Sequence, residues 1–147
     1  MPRRPRTDLP EAGAYHVASR GSNQGDIYLD DIDRKSFTTI LSRVVATHEW
    51  KCHAFCLMTT HYHLIVETER SKLSRGMQVL NGRYAQLFNR RHDRGGHLFK
   101  GRYSVFVIEG DSHFEASCRY VLENPVRAGL CESPSDWRWS GCPALGV

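Results

Sequence analysis

No stretch of this sequence approaches the roughly 20 apolar residues that cross a bilayer, and its start lacks the apolar segment of a secretion signal. A membrane span is therefore not expected, and nothing directs the chain out of the cytoplasm. The five cysteines (52, 56, 118, 131 and 142) are odd in number and form no C-x-x-C pair. Cys52 and Cys56 would lie roughly 13 Å apart along a strand, too far to share a metal, so all five are expected as reduced thiols. None of the eight histidines is followed two residues later by Ser or Thr, which removes the paired H-x-[ST] phosphoesterases. The sheet aromatic motif of RNA-recognition domains is missing too. Acid is scarce in one place in particular. Between Arg70 and Arg102 nine basic residues face a single acid, Asp93, a local balance of +8 in a chain of net +4, so the remainder carries −4. Solvated helix faces usually mix both signs in i,i+4 pairs. A stretch this poor in acid reads as a polyanion-binding face.

The 147 residues are most simply one domain with a single core. Arg3, Arg4 and Arg6, with Pro2 and Pro5, make residues 1–12 a basic arm, either flexible or laid on phosphates. Residues 14–20 alternate as a short strand stopped by Gly21. Asp30, Asp31 and Asp33 then crowd a helix N-terminus, where the dipole favours carboxylates, and Phe37, Ile40, Leu41, Val44 and His48 form its stripe. Residues 50–57 and 61–67 read as a hairpin joined through Met58, Thr59 and Thr60. A second helix over about 72–91 carries Leu73, Met77, Leu80, Tyr84, Leu87 and Phe88 at helical spacing. After Gly95 and Gly96, residues 103–108 read as a strand. This order, β-α-β-β-α-β, is the ferredoxin-like split βαβ plan of an α+β fold with an antiparallel sheet. Its two helices cover one sheet face. The other is left for a last helix, which Ser112 to Glu115 would open as a capping box and which should stop before Pro125.

Along a strand, side chains alternate between faces, so His61 and His63 share one face while Tyr62 and Leu64 take the other. Two imidazoles side by side on a strand make half a divalent-metal site, although so short a motif reads equally as satisfied core histidines. Tyr120 and Asn124, four apart, lie on one face of the last helix. Alone they read as a packing aromatic and a helix stop. The histidine pair needs a third ligand, however, and the Asn124 carbonyl oxygen would complete a mixed N/O site suited to Mg²⁺ or Mn²⁺.

His61-Tyr62-His63 resembles the HUH motif (U apolar), and Tyr120 to Leu130 (YVLENPVRAGL) resembles the tyrosine helix of single-tyrosine HUH transposases. Together with Arg3-Arg4-Pro5-Arg6, Tyr15-His16-Val17 before Arg20-Gly21, His97 to Tyr103 (HLFKGRY) and Trp139-Ser140, the chain is similar to the REP-associated tyrosine transposases from about residue 3 to 140. The resemblance implies an enzyme that nicks and joins single-stranded DNA hairpins, REP-like palindromes. Tyr120 would be the nucleophile that forms a 5′-phosphotyrosine, and His61, His63 and Asn124 the Mg²⁺ or Mn²⁺ ligands. Arg3, Arg4, Arg75, Arg83, Arg90, Arg91, Lys100 and Arg102 would then contact phosphates, with Tyr103 stacking on bases. No base for the Tyr120 proton stands out; His113 lies about two turns earlier on the same helix. One tyrosine per chain leaves both a monomer and a homodimer open. A domesticated regulator that binds repeats without cutting is the alternative, and an intact set of His61, His63, Tyr120 and Asn124 argues against it.

Overall fold

The computed structural model describes residues 9–146, so the Arg3 and Arg4 expectations lie outside the described residues. Five strands form one antiparallel sheet: β1 (Ala12–Arg20), β2 (Lys51–Leu57), β3 (His61–Glu69), β4 (Ser104–Ile108) and the two-residue β5 (Ser140–Gly141), in the order β4-β1-β3-β2-β5. Among the described residues there are three α-helices, α1 (Asp31–Thr47), α2 (Arg70–Arg91) and α3 (Gly110–Arg127). The β1-α1-β2-β3-α2-β4 core is the expected split βαβ plan, extended by α3 and by β5 on the β2 edge. No helix among the described residues is long and apolar enough to cross a membrane.

Strand alternation divides the sheet between two cores. Tyr15 and Val17 of β1 and Tyr62, Leu64 and Val66 of β3 pack with Phe37, Leu41 and Val44 of α1 and with Leu73, Met77, Leu80, Tyr84 and Phe88 of α2. Ala54, Cys56 and Ile65 face the opposite way, against Cys118, Val121 and Leu122 of α3. The period-2 strands and the 3.6-period helices thus bury matching stripes. Burial pushes the Cys52 thiol up to about 11 and the Cys56 and Cys118 thiols up to about 12. The five cysteines are free thiols, and these three stay protonated near neutral pH.

Two boundaries differ from the expectation. Helix α3 starts at Gly110, before the Ser112 to Glu115 segment, and no side chain caps it; instead the Glu109 backbone N–H donates to His113 Nδ1 at 3.0 Å. It also runs through Pro125 to Arg127. A proline inside a helix lacks the N–H that would bond the carbonyl four residues earlier. Here that carbonyl, of Val121, accepts from Asn124 Nδ2 at 3.4 Å, so the helix continues.

The tie between α1 and α2 also resolves the fate of one basic residue. Asp33 is 2% exposed. It accepts from the Leu29 backbone N–H at 2.9 Å, pairs with Arg91 at 2.6 Å and lies 2.9 Å from His92 Nε2. Arg91 also pairs with Asp30 at 2.6 Å, which holds the Asp30 carboxyl well below its usual range. The guanidinium of Arg91 therefore clamps the start of α1 to the end of α2, so the partners the structure gives it are carboxylates. Its acids come from outside the 70–102 stretch, where local charge counting does not look.

Two glycines of α2 give a paired stability prediction. A Cβ on Gly76 would lie 2.3 Å from the Trp50 indole, whereas one on Gly82 meets nothing within 4 Å. Gly82→Ala is expected to stabilise by up to about 1 kcal/mol through helix propensity. Gly76→Ala should destabilise by about 1–3 kcal/mol because the indole must shift. Denaturant midpoints of the two variants check both signs.

Candidate active site

The site lies on the α3 face of the sheet, where β1, β3 and α3 meet. His61 and His63 project from β3 with ring centroids 5.1 Å apart, on the face opposite Tyr62 and Leu64 as expected. His63 is 6% exposed, and burial, aided by the neighbouring His16 and His61 and then by Arg20 and Arg127, pushes its pKa down to about 2. Burial also lowers His61. Both rings are neutral near pH 7 and keep an imidazole lone pair. Each has its Nδ1 beside a protein partner, Thr60 Oγ1 at 3.1 Å for His61 and His16 Nε2 at 2.9 Å for His63. Nε2 is then the nitrogen each ring offers outward.

His16 stands in the sequence only within Tyr15-His16-Val17, and nothing local gives it a chemical role, because its partner lies on another strand. Register places it diagonally across from His63, one pleat along from the Ala18–His63 pair. Its ring also meets Phe106 of β4 at 6.1 Å and Tyr120 of α3 at 5.8 Å. Burial, with His113 nearby, lowers its pKa to about 4.

Tyr120 is half exposed, with its ring 6.2 Å from that of His63. The Arg127 guanidinium lies 4.2 Å from the Tyr120 ring centroid and donates to the Tyr120 carbonyl at 2.6 Å. This pins the tyrosine at the helix turn and sets a cation beside it. One turn on, Asn124 donates its amide nitrogen to the carbonyls of Tyr120 and Val121 at 3.3 and 3.4 Å. With Nδ2 held inward by the carbonyl that Pro125 orphans, the end of the amide left for a ligand is Oδ1. Two neutral imidazoles and one carbonyl oxygen are donor types that would suit Mg²⁺ or Mn²⁺. No trio of His, Cys, Asp or Glu that could hold an ion occurs among the described residues. His113 does not suit the role of base: its Nδ1 accepts the Glu109 N–H, so its other nitrogen carries the proton in the neutral ring.

The basic residues divide. Arg75, Arg83 and Arg90 are exposed on α2, which packs on the sheet face away from the histidines. Lys100 and Arg102 are exposed, whereas Tyr103 is half-buried against the helix-layer core and does not stand clear as a stacking platform. A cleft of about 1,210 Å³ is lined by Arg20 to Gln24, Thr60, His97 and Phe99 to Gly101. It brings Arg20, the strand partner of His61, together with Lys100. The 22–24 turn that forms one wall was missed because its residues carry neither motif nor run of charge.

A family model described as "Transposase IS200 like" matches residues 11–124. No curated protein matches the sequence significantly. Among solved structures, a REP-associated tyrosine transposase bound to a REP hairpin is similar with a TM-score of 0.75 at 16% identity, over 95% of this chain and 81% of that one. A protein assigned as a transposase in Deinococcus radiodurans R1 has a TM-score of 0.55 at 17% identity, over 84% of this chain and 97% of that one.

Proposed function

The chain belongs to the IS200-like transposase family, and from that membership we propose that it nicks and rejoins single-stranded DNA hairpins of the REP-like palindromic kind through Tyr120. The observation that carries this reading is the convergence of a half-exposed tyrosine, an arginine over its ring and two neutral histidines on one face of the sheet. The Tyr120 oxygen attacks the scissile phosphorus, the bond to the 3′ oxygen breaks, and a 5′-phosphotyrosine and a 3′-OH result. The phenol proton passes to water, and the departing oxygen takes one up. Since the phosphotyrosine conserves the phosphodiester bond energy, a second 3′-OH can attack it and join a new strand without ATP. Arg127, anchored at the Tyr120 carbonyl, holds the ring and places positive charge beside the anionic phosphate. A Mg²⁺ or Mn²⁺ ion on His61, His63 and Asn124 would supply Lewis-acid neutralisation of the developing charge.

The deciding experiment mixes the purified chain with a single-stranded hairpin oligonucleotide and Mg²⁺ or Mn²⁺ and resolves the products on a denaturing gel. A covalent protein–DNA band with a released 3′-OH fragment is expected. Specific hairpin binding with no covalent product in either metal favours the non-cutting regulator instead.

The cleft supports a strand path along Arg20 and Lys100, next to His61. Arg20→Glu with Lys100→Glu is expected to weaken binding to hairpins of any sequence. The slope of log affinity against log salt should fall by about one per lost phosphate contact. The same reversal at Arg75 and Arg83, across the sheet, should have the smaller effect. Salt titrations by fluorescence anisotropy compare the two pairs.

A further inference from the structure

We propose that His16 is a positioning residue that sets the ring tautomer of His63 and so decides whether His63 can hold a divalent ion, an assignment that rests on the reading of His61, His63 and Asn124 as the metal site. His16 Nε2 and His63 Nδ1 are 2.9 Å apart, and between two neutral imidazoles one proton occupies that gap. With the proton on His63 Nδ1, His63 Nε2 keeps its lone pair and faces outward as a ligand. With the proton on His16 Nε2, neutral His63 carries its own proton on Nε2 and has no lone pair to give. Metal binding through His63 therefore requires His16 to be the acceptor. Ligating histidines generally need such a partner on their second nitrogen, which orients the ring and raises its basicity.

His16 is built for that part and for no closer one. It stands diagonally from His63 on the neighbouring strand and is braced between the rings of Phe106 and Tyr120. Among the described residues it does not join His61 and His63 as a third ligand. The contact with the Tyr120 ring also sets His16 against both His63 and the nucleophile helix. A shift of His16 would be felt at both.

The test uses the whole chain, free of metal and then titrated with Mn²⁺. Nitrogen-15 imidazole spectra of the metal-free protein are expected to show His63 protonated at Nδ1 and bare at Nε2. His16→Phe keeps a ring between Phe106 and Tyr120 but removes the acceptor. It should lower Mn²⁺ affinity, read by electron paramagnetic resonance, by about 10–100-fold while hairpin affinity without metal stays unchanged. His16→Gln, whose amide oxygen can accept the same proton, should recover most of the loss. A His63 protonated at Nε2 in the metal-free parent overturns the assignment, as does a His16→Phe protein that binds Mn²⁺ like the parent. Should His16→Phe fail to fold, the parent tautomer and the His16→Gln affinity decide. A parent with the Nδ1–H form that nonetheless binds no Mn²⁺ overturns the metal reading itself, and the assignment falls with it.

Discussion

Tyr120→Phe is expected to eliminate the covalent protein–DNA band, lowering nicking by roughly a thousandfold or more, with hairpin affinity nearly unchanged. The substitution removes a single oxygen. The phenylalanine ring keeps its contacts with His16, His63 and the Arg127 guanidinium, and Tyr120 is 50% exposed, so stability should move by no more than about 0.5 kcal/mol. Loss of the adduct with binding intact isolates the nucleophile from the DNA-binding surface. An undiminished adduct in the variant would show that another residue attacks.

The second large effect concerns the metal. Removing either imidazole, by His61→Ala or His63→Ala, should lower Mn²⁺ affinity and nicking together, and raising Mn²⁺ should partly restore nicking in both, since Mn²⁺ takes nitrogen ligands more readily than Mg²⁺. His63→Ala also opens a gap at a 6% exposed position, so it should melt lower than His61→Ala. Asn124→Ala removes the oxygen ligand and should weaken binding more mildly. It also leaves the Val121 carbonyl without the amide that covers the Pro125 gap, and a lower melting temperature is expected with it. Asn124→Asp restores an oxygen donor and adds charge, so metal binding should hold or tighten. Calorimetric titration of the four variants separates the roles: Asn124→Ala binding Mn²⁺ and cutting like the parent would reduce Asn124 to a support of the helix.

The alternation of His61, Tyr62, His63 and Leu64 assigns their faces from the sequence alone, because a buried strand face leaves only one register for its apolar residues. The stripe of α2 and the aspartates at the start of α1 were legible for the same reason: both are local periodicities or local dipole effects. The α3 boundaries were not. Pro125 looks like a stop when backbone hydrogen bonds are counted along the chain, and only the Asn124 side chain, folded back on Val121 and Tyr120, shows how the missing bond is replaced.

What the sequence by itself determined is therefore the split βαβ plan, the face of the two histidines and the spacing of Tyr120 and Asn124, all set by periods of 2 and 3.6 residues. Tertiary structure alone decided the partners. His16 reaches His63 across 47 positions of chain, Arg91 is drawn to Asp30 and Asp33 about 60 positions away, and Arg75, Arg83 and Arg90 end on the sheet face away from the histidines. Hydrogen bonds and ion pairs act over about 3 Å of space whatever the distance along the chain. Strand register and helix packing brought those groups within that range.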